Sequence, residues 1–273
     1  GKLRHYQLMS QFAFFSFFGR NLMRRCVFDG RIETPGVVFF EVILSQKNQD
    51  ANSENKPDRI EWLVDKNGYL YYPLDRGDVK FNRQDYGIDG SLSMHKLIYQ
   101  SRNGNIYGLL VLPNSAEELL PGIVLLPGAG VSKESELGLA KSIAGLGAVV
   151  LVIDQRGTGE TTAQANSIEQ DYKNFLDAKE PSQHLMVYDA LRAYDLLHSA
   201  SFVDPERIII AGESLGGRIA VIAAAIDRNI KGVLVISSAG IDFNTENDTR
   251  VNAFLNSINS DHYIGQIAPR KIV

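Results

Sequence analysis

The stretch RIIIAGESLGGRIAVIAAAI, residues 207–226, joins two apolar segments of different periodicity through a serine flanked by glycines. The isoleucine run before the serine has no polar face, which is typical of a strand covered on both sides. The segment 215–226 is apolar almost all round, which is typical of a buried helix. Ser214 therefore stands where a buried strand turns into a buried helix.

The pentapeptide GESLG (212–216) matches the G-x-S-x-G pattern of a nucleophile elbow. A serine that lifts its hydroxyl above a sheet needs a strained backbone, which costs about 1–3 kcal/mol. Gly212 and Gly216 leave room in the turn because they carry no side chain. The first N–H groups of the following helix are unpaired and partly positive, so the amide of Leu215 can stabilise an oxyanion. We predict that Ser214 is a nucleophile and that Leu215 donates to the oxyanion.

From about residue 91, predicted strands alternate with predicted helices. This alternation predicts an α/β fold: a doubly wound, mostly parallel sheet with helices on both faces. Its ligand site should lie beyond the carboxyl ends of the strands. The predicted strands are a hairpin of 96–100 and 105–113, followed by 122–127, 148–154, 207–212 and 231–240. Two helices are predicted from their apolar faces: one face carries Leu139, Ile143 and Leu146, and the other carries Val187, Leu191, Tyr194 and Leu197.

The first 90 residues have a different pattern. Two short β-prone runs, 37–44 (VVFFEVIL) and 68–74 (GYLYYPL), are separated by the polar stretch 45–58. We predict an accessory segment over residues 1–90, β-rich or mixed, which carries no chemical motif. The α/β core is predicted over residues 91–273.

Composition excludes several classes of function. The chain has 273 residues and a net charge of −4, so it lacks the basic surface expected of a nucleic-acid-binding protein. Its one cysteine, Cys26, cannot form an intramolecular disulfide, and its surroundings show no metal-ligand spacing. The phenylalanine-rich run 12–18 is too short to span a bilayer. No metal, organic cofactor, nucleic acid or membrane span is expected; the oligomeric state is left open, and the cytoplasm is the favoured compartment.

Residues from about 95 to 273 resemble the α/β-hydrolase family, and within it the dienelactone-hydrolase and prolyl-oligopeptidase-like esterases. The resemblance implies a serine hydrolase of carboxylic esters, with thioesters or amides as further small-molecule substrates, that acts through an acyl-enzyme on Ser214. The matching pieces follow the family's order: NIYGLLVLP (105–113), LLPGAG (125–130), DQRGTGE (154–160), Asp189 and VDPERIIIAGESLGG (203–217).

The same resemblance assigns roles to two loops. In the family, the loop after the third strand donates the second oxyanion N–H. PGAG (127–130) occupies that place, so the resemblance implies Ala129 as the donor and Gly128 as the residue that keeps the backbone open. Proline stands here where the family usually has histidine. For Asp154 and Arg156 it implies structural roles, a carboxylate capping turn amides and an arginine bracing the site.

Two charged residues flank the elbow: Glu213 directly precedes Ser214, and Arg218 follows four residues after it. Opposite charges so close to one turn favour a mutual ion pair. We interpret them as a pair that braces the elbow, not as groups that take part in the chemistry.

A serine nucleophile needs a histidine base that is oriented by a carboxylate. In α/β-hydrolases the acid and then the histidine follow the serine. His262 is the one histidine after Ser214, and Asp242, just beyond the predicted strand 231–240, is a possible acid. Neither residue fits the usual placement of the family's base and acid. The final residues 267–273 resemble the opening of the family's seventh strand. We therefore expect the chain to be incomplete at its C-terminus, with acid and base encoded beyond Val273.

Two alternatives remain open. Residues 122–157 imitate a dinucleotide-binding unit, with Gly128-x-Gly130 between strand and helix and Asp154 after the second strand. Lys133 in place of the third glycine and Pro127 in the phosphate turn speak against it. The other alternative is a non-catalytic hydrolase-like scaffold in which the serine is inert.

Overall fold

The computed structural model describes residues 61–114, 118–242 and 248–273. The predicted strand 37–44 lies outside these residues. The strands are β1 Leu63–Val64, β2 Leu70–Tyr71, β3 Phe81–Asp89, β4 Leu92–Ser101, β5 Gly104–Pro113, β6 Leu120–Leu126, β7 Val149–Ile153, β8 Val203–Glu213, β9 Gly232–Ile236 and β10 Lys271–Ile272. The helices are α1 Leu137–Ala144, α2 Ile168–Leu176, α3 Ser182–His198, α4 Leu215–Ile226, α5 Thr249–Ser257, the 3₁₀ helix Ser260–His262 and α6 Ile264–Ile267.

Eight of these strands form one mixed sheet in the order β10-β9-β8-β6-β7-β5-β4-β3. The five strands from β10 to β7 are parallel to one another, while β5, β4 and β3 add an antiparallel edge that begins with the β7–β5 pair. This arrangement confirms the predicted α/β class and the predicted hairpin of β4 and β5. The carboxyl ends of β6, β7 and β8 meet at one edge of the sheet.

The sheet lies between two helical layers because its central strands are apolar on both faces. Leu125, Val150 and Val152 pack on one side with Ala140 and Ala144 of α1. The intervening residues of the same strands point to the other side of the sheet, where they pack against α3 and α4. All five residues of β7 are buried. The continuous apolar runs of the sequence are therefore explained by burial on two faces.

The helix predicted around Leu139, Ile143 and Leu146 is present as α1, but of these three residues only Ile143 packs against the core. Leu139 and Leu146 are 38% and 88% exposed, whereas Ala140 and Ala144 are fully buried. Small alanines let this short helix lie close to the sheet, while Leu139 points outward and Leu146 lies beyond the end of the helix. The face predicted for α3 is confirmed, since Val187, Leu191, Tyr194 and Leu197 are all buried.

The sheet extends N-terminally beyond residue 91. β3 pairs with β4 from Phe81↔Tyr99 to Asp89↔Leu92, with a bulge between Asp85 and Gly87. β1 and β2 form a separate two-stranded sheet that contacts α5. All described residues belong to one compact unit of the chain.

A histidine of α3 is buried in an aromatic setting. The ring of His184 lies 5.6 Å from Trp62 and 6.4 Å from both Phe175 and Phe254, centroid to centroid. Its Nε2 lies 2.7 Å from Ser257 Oγ, and that hydroxyl donates its own proton to the Phe254 carbonyl. His184 Nε2 is therefore the donor, and Nδ1 has no partner among the described residues. A proton on Nδ1 would place a charge among apolar rings.

We expect His184 to make the fold sensitive to acid. Burial lowers the pKa of His184 to about 3, below the ordinary value of 6.5. Below pH 6.5 the unfolded chain takes up a proton that the folded chain does not, so stability falls as the pH drops from 6.5 towards 3. The expected loss is about 2 kcal/mol between pH 6.5 and pH 5. Urea denaturation of His184→Gln should show a flatter pH profile over this range, and an unchanged slope would contradict the assignment.

Candidate active site

Ser214 occupies the turn between β8 and α4. Its backbone has φ 50° and ψ −113°, a left-handed conformation that non-glycine residues seldom adopt. The Ser214 N–H donates to the carbonyl of Ile236 on β9 at 2.9 Å, which ties the turn to the neighbouring strand. The residue is exposed although the strand before it and the helix after it are buried. This is the geometry of a nucleophile elbow.

The glycines around Ser214 are required by close backbone contacts. A Cβ atom on Gly212 would overlap the backbone of Gly216, and one on Gly216 would overlap the carbonyl oxygen of Leu126 at the end of β6. Gly217 is equally constrained, since a Cβ there would lie 2.7 Å from the Cβ of Ser238. The G-x-S-x-G pattern marks the first two glycines but not Gly217, although Gly217 directly follows it in the sequence.

The loop after β6 lies beside the serine. A Cβ on Gly128 would be 3.6 Å from the Cβ of Ser214, in ordinary van der Waals contact. The Val131 N–H donates to the Gly128 carbonyl at 3.2 Å, which closes a turn that leaves Ala129 exposed. Leu215 is the first residue of α4, so its N–H has no partner within the helix. The fold thus brings both predicted oxyanion donors to the edge where Ser214 lies.

Buried contacts hold both ends of this loop. Asp154 at the end of β7 accepts hydrogen bonds from the Lys133 N–H and Nζ, each at 2.8 Å, and from the Glu160 N–H at 2.9 Å. Gln155 Nε2 donates to the carbonyl of Pro127 at 3.2 Å. Lys133 and Asp154 are both completely buried. The two residues after β7 therefore fix the start and the end of the loop that carries Ala129.

The buried Lys133 ammonium is neutralised by several carboxylates. Its Nζ lies 2.8 Å from Asp154, 2.8 Å from Glu160 and 2.7 Å from Glu134. Burial by itself would lower the pKa of Lys133, but hydrogen bonds to these carboxylates outweigh that effect and raise the pKa above its ordinary value. In a dinucleotide-binding unit the residue at 154 would bind a ribose; here both of its oxygens are engaged.

Arg156 lies in a second buried ion pair. Its Nε and Nη2 donate to the two carboxylate oxygens of Asp189 on α3, at 2.7 and 2.8 Å, and Nη2 also donates to the Arg102 carbonyl. Ser101 donates to the same carboxylate at 2.5 Å. The pair joins the loop after β7 to α3 and to the β4–β5 turn, which gives Arg156 a structural contact and not a catalytic one.

The candidate acid and base are not brought to the serine. His262 stacks on Tyr69 with ring centroids 4.0 Å apart, and burial lowers its pKa below the ordinary value. Asp242 is exposed. Within the described ranges, no hydrogen bond joins the Ser214 hydroxyl to a histidine or a carboxylate. The described site therefore contains an exposed hydroxyl and the two N–H groups predicted to stabilise an oxyanion, without a hydrogen-bonded base among the described residues.

The expected ion pair between Glu213 and Arg218 is wrong. Glu213 is hydrogen-bonded to Glu136 at the start of α1, and burial together with the charge of Glu213 raises the pKa of Glu136. Arg218 instead donates to the amide oxygen of Gln183 at 3.3 Å. The two charges diverge because residue 213 ends a strand and residue 218 lies in the second turn of a helix.

Ser238 is a site residue that the sequence analysis missed. Its hydroxyl donates to the carbonyl oxygen of Ser214 at 2.6 Å. That carbonyl and the Leu215 N–H belong to one planar peptide unit, so the bond helps to fix the direction of the N–H donor. Ser238 follows β9 and is close to Ser214 only in three dimensions. No signal in the sequence marks it.

Neither a metal site nor a membrane-spanning helix is found among the described residues. Within them, no three histidine, cysteine or acidic side chains are placed to hold a metal ion. The helices in the same ranges are also too short or too polar to cross a bilayer.

A comparison with known protein families identifies the family of this chain. The family model described as Acetyl xylan esterase (AXE1) matches residues 74–248, more than half of the chain. The chain belongs to the acetyl xylan esterase family. The α/β-hydrolase resemblance inferred from the sequence is confirmed, and an acetyl xylan esterase family member is not expected to be a dinucleotide-binding protein.

Individual proteins and solved structures are also similar to this chain. YtaP of Bacillus subtilis (strain 168), provisionally named as a hydrolase, is 40% identical over 86 residues, which are 32% of this chain and 28% of YtaP. Acetyl xylan esterase 1 from Thermoanaerobacterium sp. JW/SL YS485 has a TM-score of 0.55 at 15% identity and covers 70% of each chain. The glucuronoyl esterase from Solibacter usitatus has a TM-score of 0.50 at 14% identity, covering 78% of this chain and 69% of that one. These two structures show the shared fold.

Proposed function

We propose that this protein is a serine hydrolase of carboxylic esters, with Ser214 as the nucleophile. The observation that carries the proposal is the conformation of Ser214, an exposed serine at positive φ between a buried strand and a buried helix. Such a backbone costs about 1–3 kcal/mol and persists only where the surrounding structure enforces it. A serine held in this way, beside unpaired amides, is suited to attack a carbonyl carbon.

In the proposed reaction, Ser214 Oγ bonds to the ester carbonyl carbon while a general base takes the hydroxyl proton. The carbonyl oxygen becomes an oxyanion, which accepts hydrogen bonds from the Leu215 and Ala129 N–H groups. Collapse of this intermediate releases the alcohol, which takes a proton, and leaves the acyl group on Ser214. Water then attacks the acyl-enzyme and releases the carboxylic acid.

The general base and its orienting acid are proposed to come from outside the described residues. His262 and Asp242 follow Ser214 in the sequence, but His262 is stacked on Tyr69 and Asp242 is exposed, and neither is hydrogen-bonded to the serine. Ordinary family members place these two groups after the nucleophile. The family's description suggests acetate esters as substrates, and we propose short acyl esters as the substrate class.

A fluorophosphonate probe tests the proposal, because it phosphonylates only an activated serine. We expect the folded protein to be labelled once, on the peptide that contains Ser214, with mass spectrometry of the digest as the measurement. Protein unfolded in urea should not be labelled. As labelling proceeds, the rate of acetate release from 4-nitrophenyl acetate should fall in parallel. Labelling at another serine, or none in protein that hydrolyses esters, would refute the assignment; no labelling and no hydrolysis would favour an inert scaffold.

A further inference from the structure

Arg218 is partly buried and differs from the other buried or partly buried arginines of the described residues. Four of these arginines are bound to carboxylates, and Arg270 donates to five backbone carbonyl oxygens. The carboxylate pairs are Arg76 with Asp195 and Asp227, Arg102 with Glu180, Arg156 with Asp189, and Arg192 with Asp195. Arg218 has only the long hydrogen bond to Gln183 and forms no ion pair within the described ranges. No carboxylate of the described ranges thus compensates its charge.

The position of Arg218 places this charge near the nucleophile. It lies four residues after Ser214, about 6 Å further along the axis of α4, and helix side chains lean back towards the N-terminus. Its partner Gln183 is the second residue of α3. Since α3 ends where β8 begins, the first turn of α3 lies at the sheet edge where β8 ends in the elbow. The hydrogen bond to Gln183 therefore holds the guanidinium beside the first turn of α3, at the same sheet edge as the elbow.

The environment makes an unpaired cation costly. Burial lowers the pKa of Arg218 to about 10, from an ordinary value of 12.5. A guanidinium has five N–H donors, and desolvating them without an anionic partner is unfavourable. Residues that cost stability in this way are frequent at binding sites, where the ligand supplies the missing partner.

We propose that Arg218 binds a carboxylate carried by the ester substrate. The planar guanidinium can donate two parallel hydrogen bonds to a carboxylate, which gives both affinity and orientation. The inference rests on the proposed esterase function and narrows its substrates to esters with a negative group near the scissile bond. Gln183 holds the guanidinium in place through its amide oxygen.

The test compares matched esters that differ in charge. In the first pair, 4-acetoxybenzoate and 4-acetoxybenzamide, the carboxylate lies on the alcohol part of the ester and is replaced by a neutral amide. In the second pair, the 4-nitrophenyl monoester of succinate and its methyl ester, the carboxylate lies on the acyl part and is replaced by a neutral ester. For at least one pair, Arg218→Met should lower the ratio of kcat/KM for the anionic ester to that for the neutral ester by about 10- to 100-fold. Arg218→Lys, which keeps the charge, should recover part of the ratio. An unaltered ratio for both pairs would overturn the proposal.

Two further measurements separate binding from structure and from catalysis. Arg228→Met removes an exposed arginine after α4 and should leave the ratio as in the wild type. The urea midpoint of Arg218→Met should equal or exceed that of the wild type, whereas a structural arginine would lower it. If no ester is hydrolysed, calorimetric titration with benzoate still tests the site. We then expect wild-type protein to bind benzoate and Arg218→Met to bind at least about 10-fold more weakly; equal binding would refute the site independently of the esterase proposal.

Discussion

Ser214→Ala is expected to reduce ester hydrolysis by about 10⁴- to 10⁶-fold, the range found when a member of a complete serine triad is removed. The alanine cannot form the acyl-enzyme, so only the oxyanion donors and substrate binding remain. Steady-state hydrolysis of 4-nitrophenyl acetate and labelling by the fluorophosphonate probe measure this loss. A variant that keeps more than about one-tenth of the activity would exclude Ser214 as the nucleophile.

The same position should show the strain that the elbow imposes. Ser214→Gly removes the same hydroxyl but also relieves the positive φ of 50°. We expect it to be about 1 kcal/mol more stable than Ser214→Ala, after allowing for the greater entropy of unfolded glycine. Ala178, an exposed residue at φ 55° after α2, offers a matched control. Ala178→Gly should give a similar gain in stability without loss of hydrolysis. Equal stability of the two Ser214 variants would show that no strain is stored there.

Lys133→Met is expected to lower the free energy of unfolding by about 3–5 kcal/mol, because it leaves the buried Asp154 carboxylate without its charged partner. Both side chains are 0% exposed, so solvent does not compensate for the loss. The double variant Lys133→Met with Asp154→Asn should be more stable than Lys133→Met alone, since the second change removes the unpaired charge. Urea denaturation at neutral pH gives these values.

An exposed ion pair provides the control for this measurement. Lys231 pairs with Glu206 at 2.7 Å, with side chains 34% and 77% exposed. Lys231→Met should cost less than about 1 kcal/mol, because solvent screens the pair. If the two lysine variants were equally stable, the buried pair would contribute no more than a surface pair. In that case it could not fix the loop that carries Ala129.

A site residue could be predicted from the sequence when the pattern that marks it lies within a few neighbouring residues. The elbow was readable because its requirements are met within a few residues: apolar strand, glycines, serine and apolar helix. The assignment of Ala129 needed the family resemblance, since nothing local distinguishes one loop amide from another. The buried face of α1 was missed because periodicity favours large side chains, whereas close packing on the sheet selected Ala140 and Ala144.

The sequence by itself determined the order of strands and helices and the sharp turn at Ser214, because hydrophobic periodicity and glycine act over short distances along the chain. The tertiary structure alone decided which charges meet: it paired Lys133 with Asp154 and turned Glu213 towards Glu136, and it gave Arg218 no carboxylate partner among the described residues. Ion pairs form between side chains that packing brings together from distant positions, and charge by itself does not specify a partner. Ser238 reaches the Ser214 carbonyl for the same reason, across 24 residues of sequence.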